Sequence, residues 1–340
     1  MTRSDIFLLA IIGGFLVIGM REAGETVKPD DLVTDVLEIL GSDPMPHKPD
    51  LSQPGVDVKK GEEIVTKGRP EDVTFGKSRR QSIYFTCTAC HNIVREEPNL
   101  AQPDPDRRLR YALEHGLPYL QGSPLYGVVN RSSFYNGDYE KKYGDLVKPT
   151  RKDLRAAIQL CAVECSQGRP LMQLEMESVV AYLWTIGLKM HDLQLTDEEN
   201  QTIQKAVDEQ AVQEQAIELI KSKYLPYSPA TFIDPPENRK KGMVSEGNAD
   251  NGKLIYELSC QYCHYQNDYS FLLLDNTRMT FKYLSKHAEK YNARSIYQVS
   301  RYGTQPKNGK KAYMPQYTLE KLSREQMADL RAYIDREAGK

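Results

Sequence analysis

The pattern Cys-x-x-Cys-His stands at residues 87–91 (CTACH) and again at 260–264 (CQYCH). The chain holds only six cysteines and six histidines in 340 residues, so chance recurrence of this spacing is negligible. Two thiols three positions apart share one face of a helical turn, and the next residue presents an imidazole at its end. This arrangement suits two thioether bonds along one porphyrin edge with the adjacent histidine on the iron, the attachment signature of c-type haem. Cys87, Cys90, Cys260 and Cys263 are then attachment residues of two covalently bound haem c groups, and His91 and His264 are proximal iron ligands. Two rival uses fit less well. A redox dithiol follows a strand in a βαβ unit, a pattern absent from this sequence. A zinc site built from both Cys-x-x-Cys units leaves the two adjacent histidines unexplained.

Apolar residues make up 40% and charged residues 27%, as in a folded soluble body long enough for two domains. The net charge of -2 gives no pull toward nucleic acid or an anionic membrane. Residues 6–20 (IFLLAIIGGFLVIGM) carry no charge. They are short of the roughly 20 residues of a spanning helix, but flanking Arg3 and Arg21 can snorkel and stretch the span. The expectation is an uncleaved anchor over residues 1–22 that holds the body on the periplasmic side of the cytoplasmic membrane; if the segment is a cleaved signal peptide, the body is free in the periplasm. Residues 23–55, rich in proline and charge, are predicted to form an extended linker.

Beyond it, two stretches resemble each other, and the predicted architecture is mostly α. It has tandem class-I-like cytochrome c domains at 56–190 and 246–340, joined by a helical and proline-rich linker at 191–245. Each domain opens on a Gly-containing segment (KGEEI from Lys60, NGKLI from Asn251) and closes on a helix carrying Ala-Tyr-Leu/Ile, at 181–183 and 332–334. Ser323 and Gln326 form a capping-box pattern at the start of the second closing helix. Residues 196–224 read as one charged helix with a thin apolar stripe through Ile203, Val207, Ile217 and Ile220. Twenty-one tyrosines suit the half-exposed edge of a flat group, or equally polar surface loops.

Two haems call for two more axial ligands. For the second, Met314 in Tyr-Met-Pro-Gln-Tyr precedes the closing helix, and Pro315 stiffens the loop around it; Met279 is the other candidate. For the first, Cys161, Cys165, Met172, Met176 and His115 are open, with His115 also suited to capping a helix end and Met176 to a core position. Cys161 and Cys165 sit four apart, a strained spacing for a disulfide on one helix, while a thiolate on iron is the other use of such a pair. Arg151, Arg155 and Arg169 flank the pair and would favour an anion there.

Residues 56–340 as a whole resemble dihaem cytochromes c. The stretch Cys161-Ala-Val-Glu-Cys165-Ser-Gln-Gly-Arg-Pro-Leu171 is similar to sulfur-oxidising dihaem cytochromes, namely thiosulfate dehydrogenase and the thiosulfate-oxidation cytochrome with a cysteine-ligated haem. That resemblance implies Cys161 as axial thiolate and catalytic residue. Cys165 falls where the family tends to have Ser, and Gln159 and Leu160 stand where it has a polar or basic pair. The expected function is a membrane-tethered dihaem cytochrome carrying electrons in a respiratory or related chain. Its expected partners are redox proteins: a membrane quinol-oxidising or oxidase complex and a soluble cytochrome. The alternative is an oxidoreductase that oxidises thiosulfate or a related sulfur anion at a His/Cys haem and passes electrons to a cytochrome acceptor.

Overall fold

The computed structural model describes residues 26–71, 79–209, 211–234, 237–240, 246–265, 269–270, 272–304 and 314–340. The uncharged segment 6–20 lies outside them. Among the described residues no helix is long and apolar enough to cross a membrane. They are mostly helical, and among them pairing between extended segments is limited to a bridge of Leu32 with Lys189. In order, the helices are α1 (Val33–Ile39), α2 (Val58–Lys67), α3 (Pro105–Glu114), α4 (Tyr139–Tyr143), α5 (Leu154–Leu160), α6 (Gln173–Thr185) and α7 (Asp197–Glu209). Then follow α8 (Gln213–Ser222), α9 (Ala249–Ile255), α10 (Gln261–His264), α11 (Arg278–Ala288), α12 (Ile296–Tyr302) and α13 (Arg324–Ala338).

The sequence repeat becomes a repeat of contacts. In the first copy α2 crosses α6, and a Cβ added at Gly61 would lie 1.9 Å from Ser178 O and 2.9 Å from Tyr182 Cβ. In the second α9 crosses α13, and a Cβ at Gly252 would lie 1.9 Å from Asp329 O and 2.8 Å from Tyr333 Cβ. The opening helices start alike. Asp57 caps α2 and donates its N–H to Ser178 Oγ (3.1 Å); Asn248 caps α9 and donates its N–H to Asp329 Oδ1 (2.6 Å). Four positions thus correspond pairwise, and the shared tyrosine of the two closing helices is the residue over which each glycine sits. Glycine is required because the backbones meet with no room for a methyl group. Gly61→Ala is expected to overpack the crossing and lower stability by about 3 kcal/mol, measured as a fall in the urea midpoint at unchanged slope.

Three buried clusters organise the chain. The first joins α2, α5 and α6 through Ile64, Val65, Leu154, Val179, Val180, Leu183 and Trp184. The second gathers α9, α11, α12 and α13, with Tyr256, Tyr297, Tyr317 and Tyr333 in its core. It also takes in Leu109 and Ala112 of α3 and Tyr119, so an element from the first copy packs into the second. The third joins α1, α7, α8 and Leu188, Met190 and Leu193.

The expected capping box at Ser323 and Gln326 is present, and Met327, Leu330, Tyr333 and Ile334 are buried on one face of α13. Residues 23–55, expected as an extended linker, depart from that reading from residue 26 on. α1 buries Val33, Val36 and Leu37, and His47 is 2% exposed with Nε2 2.6 Å from Val129 O and its ring edge-on to Phe134 and Trp184. The apolar spacing of Val33, Val36, Leu37 and Leu40 is that of a short helix face, set among prolines and charges that read as a linker. The charged helix expected at 196–224 is two helices, broken at Val212, whose φ is +53°. Packing of α7 against α8 brings Ile203, Val207 and Ile220 into one cluster with α1, where one straight helix would spread them along its length.

Candidate functional site

The first motif lies in a 3-10 turn over Cys87–Ala89, beside a cavity of about 210 Å³. Cys87, Cys90 and His91 line this cavity, as do Cys161 and Cys165. Apolar side chains form most of the rest, among them Ile64, Phe85, Val128, Leu154, Val179 and Leu183. His91 Nδ1 sits 2.6 Å from Ser123 O. A carbonyl only accepts, so Nδ1 carries the proton and Nε2 keeps its lone pair, the form a metal takes. Burial lowers the His91 pKa and favours this neutral ring. The carbonyl arrives there because residue 122 is glycine: a Cβ would lie 2.5 Å from both Cys90 O and His91 Nδ1.

The second motif is built alike. A turn of π-helix, Tyr256–Cys260, leads into α10, which ends on His264. His264 Nδ1 sits 2.7 Å from Leu272 O, and burial again lowers the ring's pKa. Met314 is fixed through its backbone: its N–H donates to Thr304 Oγ1 (2.7 Å), and its carbonyl accepts from Thr304 N (3.0 Å). Gly303, at φ +65°, brings that carbonyl within 2.3 Å of where a Cβ would stand. Tyr313 and the loop before it lie outside the described residues. Met279 is 76% exposed on the outer face of α11.

Of the candidates for the first site, the structure brings only the cysteine pair to the cavity. Met172 is the N-cap residue of α6 and 52% exposed, and Met176 is buried in the core of the first cluster. His115 ends α3, with Nδ1 2.9 Å from Tyr111 O and its ring stacked on that tyrosine. One π-helical turn, Cys161–Cys165, continues α5. This wider turn places residues four apart nearly above one another, and such turns recur at functional positions. Both cysteines are free thiols.

The environments of the cysteines differ sharply. Burial pushes Cys87 up to about 11 and Cys260 to about 12, and raises Cys90 as well. Cys165 goes the other way. A hydrogen bond from the Cys161 thiol, the Tyr143 and Tyr135 hydroxyls and the charge of Lys142 together outweigh its burial. The hydroxyls of Tyr143 and Tyr135 lie 3.3 and 3.5 Å from Cys165 Sγ. Cys161 is raised, by its bond to Cys165 and by burial. The pair thus shares one proton, with the negative charge held on Cys165.

The three flanking arginines do not line the cavity. Arg155 pairs with Glu177 (2.6 Å), Arg169 pairs with Glu175 (2.6 Å), and Arg151 donates to Tyr135 O. The last contact holds Tyr135 at φ +50°, a left-handed conformation costly for a tyrosine. Arg131 and Lys142 are the cations in the cavity wall. Arg131 donates to Pro124 O (3.2 Å), and no described carboxylate pairs with it; burial lowers its pKa. Sequence reading missed both residues, along with Tyr135, Tyr143 and Gly122. A lone basic or aromatic residue in a loop carries no periodic signal.

These features fit a covalent haem: an apolar slot for a macrocycle, two thiols beside an imidazole with a free lone pair, and a wall cation, Arg131, without a direct carboxylate partner among the described residues, for a propionate. Among the described residues no three His, Cys, Asp or Glu side chains converge as a metal site. No curated protein and no solved structure matches the chain. Residues 247–334 match the family model described as cytochrome c oxidase, cbb3-type, subunit III, which marks this stretch as a cytochrome c domain and implies covalently bound haem c and electron transfer with redox partner proteins.

Proposed function

We propose that the chain is a dihaem c-type cytochrome made of two tandem cytochrome c domains, tethered to the periplasmic face of the cytoplasmic membrane by residues 6–20. The observation that carries this reading is the repeated histidine geometry: next to each Cys-x-x-Cys, Nδ1 donates to a backbone carbonyl and Nε2 is left for iron. Cys87, Cys90 and His91 hold the first haem, and Cys260, Cys263 and His264 the second. Bound haem c supplies one-electron redox chemistry at its iron. Met314, whose N–H is anchored to Thr304, would be the sixth ligand of the second haem. Cys161 would be that of the first, because Cys165 Sγ is already engaged by two phenols. The apolar wall excludes water, and Arg131 is placed to neutralise a propionate.

A His/Met site has a higher potential than a His/thiolate one. A redox titration is therefore expected to resolve two one-electron steps, with Met314→Ala moving only the upper step downward. One step of unit amplitude would count against the reading. The proposed partners are a membrane quinol-oxidising or oxidase complex on one side and a soluble cytochrome on the other. A mature N-terminus near residue 24 would replace the anchored form by a free periplasmic one.

A second reading draws on one observation, the cations Arg131 and Lys142 in the wall that also carries the cysteine pair. There the chain would oxidise a sulfur anion such as thiosulfate, with Cys161 as catalytic residue. Thiosulfate-dependent ferricyanide reduction by the purified protein is the expected sign of it. Absence of turnover with intact haem spectra would remove it.

A further inference from the structure

The two attachment segments touch. Tyr262, inside CQYCH, donates its hydroxyl to the backbone carbonyl of Thr88, inside CTACH, at 3.0 Å. The two motifs lie far apart in sequence, so this contact is set by tertiary packing. The residues around it are fixed as well. Tyr119 N–H donates to Leu258 O (2.9 Å), Tyr317 hydroxyl donates to Tyr119 O (3.1 Å), and Tyr262 packs against Tyr269 at 5.9 Å between ring centroids. On another part of the first cavity, Pro315 and Gln316, next to Met314, form part of the wall, and Gln316 Oε1 accepts from Lys142 Nζ (2.9 Å). The attachment segment and the ligand loop of the second copy therefore both abut the first site.

We infer that Tyr262 is a positioning residue that joins the two haem-attachment segments, so that the thioether edges of the two haems meet across the Tyr262–Thr88 hydrogen bond. This rests on the dihaem reading above. Thioethers leave a porphyrin at the edge opposite its propionates, so contact between the two Cys-x-x-Cys segments sets thioether edge against thioether edge. The propionate edges would then point away from the joint.

The holoprotein permits a test without mutation. Selective reduction of the His264/Met314 haem makes its low-spin iron diamagnetic. The electron spin of the oxidised first haem is expected to relax several-fold more slowly once its neighbour is silenced. Equal relaxation in both states would overturn the close joint. The role of Tyr262 is tested by Tyr262→Phe, which keeps the ring and removes the donor. After flash reduction, equilibration between the haems is expected to slow several-fold while both midpoint potentials stay in place. An unchanged rate would remove Tyr262 from the joint. Intact mass separates the two readings: a protein that carries only one haem fails the dihaem reading itself, whereas two haems without coupling fail this inference alone.

Discussion

Oxidised holoprotein carrying Cys161→Ala is expected to lose its thiolate-type low-spin EPR signal completely, while Cys165→Ala and Met172→Leu retain it. The cavity brings Cys161 and Cys165 to the first haem site and leaves Met172 outside, half exposed at the start of α6. Within the pair, the Tyr135 and Tyr143 hydroxyls converge on Cys165 Sγ. Cys165 Sγ is thereby engaged, and Cys161, which holds the pair's shared proton, would give it up on binding the iron of the proposed first haem. Loss of the signal in Cys165→Ala but not in Cys161→Ala would reverse the two roles. Loss in Met172→Leu would rule out the cysteine pair.

Glu96→Ala carries the largest expected loss of stability, on the order of 3–5 kcal/mol, because it leaves the buried Arg108 without a carboxylate and Lys321 with Glu97 alone. Glu96 accepts from Arg108 (3.0 Å) and Lys321 (2.8 Å), and all three side chains are at least 92% buried. Arg108 also donates to Leu120 O and Lys321 O, so the cluster locks α3, the loop after the first motif and the segment before α13 together. Burial alone would raise the Glu96 carboxyl, but Arg108 and Lys321 outweigh it and pull it from 4.5 to about 2. A depressed carboxylate stabilises the fold fully above its unfolded value. That contribution, roughly 3 kcal/mol, is lost as pH falls from about 4.5 toward 2. Urea midpoints measured across this window are expected to fall steeply for the native chain and to flatten in Glu96→Gln. Parallel slopes would contradict the assignment.

The two Cys-x-x-Cys-His motifs were legible in the sequence because their spacing is fixed and local, and the family match at 247–334 covers the second. So were the closing helices, whose apolar faces repeat at helical period, and the capping box at Ser323. The pairing of Gly61 with Tyr182 and of Gly252 with Tyr333 was half visible, as a shared Ala-Tyr pair without its partner. What stayed hidden was everything set by tertiary proximity. Arg131, Lys142 and Tyr135 reach the first cavity from loops, and Tyr262 lies inside a motif whose intervening positions are chemically unrestricted. The three arginines nearest Cys161 in sequence instead serve Glu177, Glu175 and the Tyr135 carbonyl. The segment before α2 was misread as extended because its prolines and charges outweighed the brief helical spacing of Val33, Val36, Leu37 and Leu40, and His47 is a lone anchor.

The central claim is that both Cys-x-x-Cys-His segments carry haem in one folded chain. Intact mass of the denatured, purified protein tests it most directly, since thioether bonds survive denaturation. The expected mass is that of the chain plus two haems, falling by one haem in Cys87→Ala/Cys90→Ala and by one in Cys260→Ala/Cys263→Ala. A native mass with a single haem, or haem released on denaturation, would contradict the account.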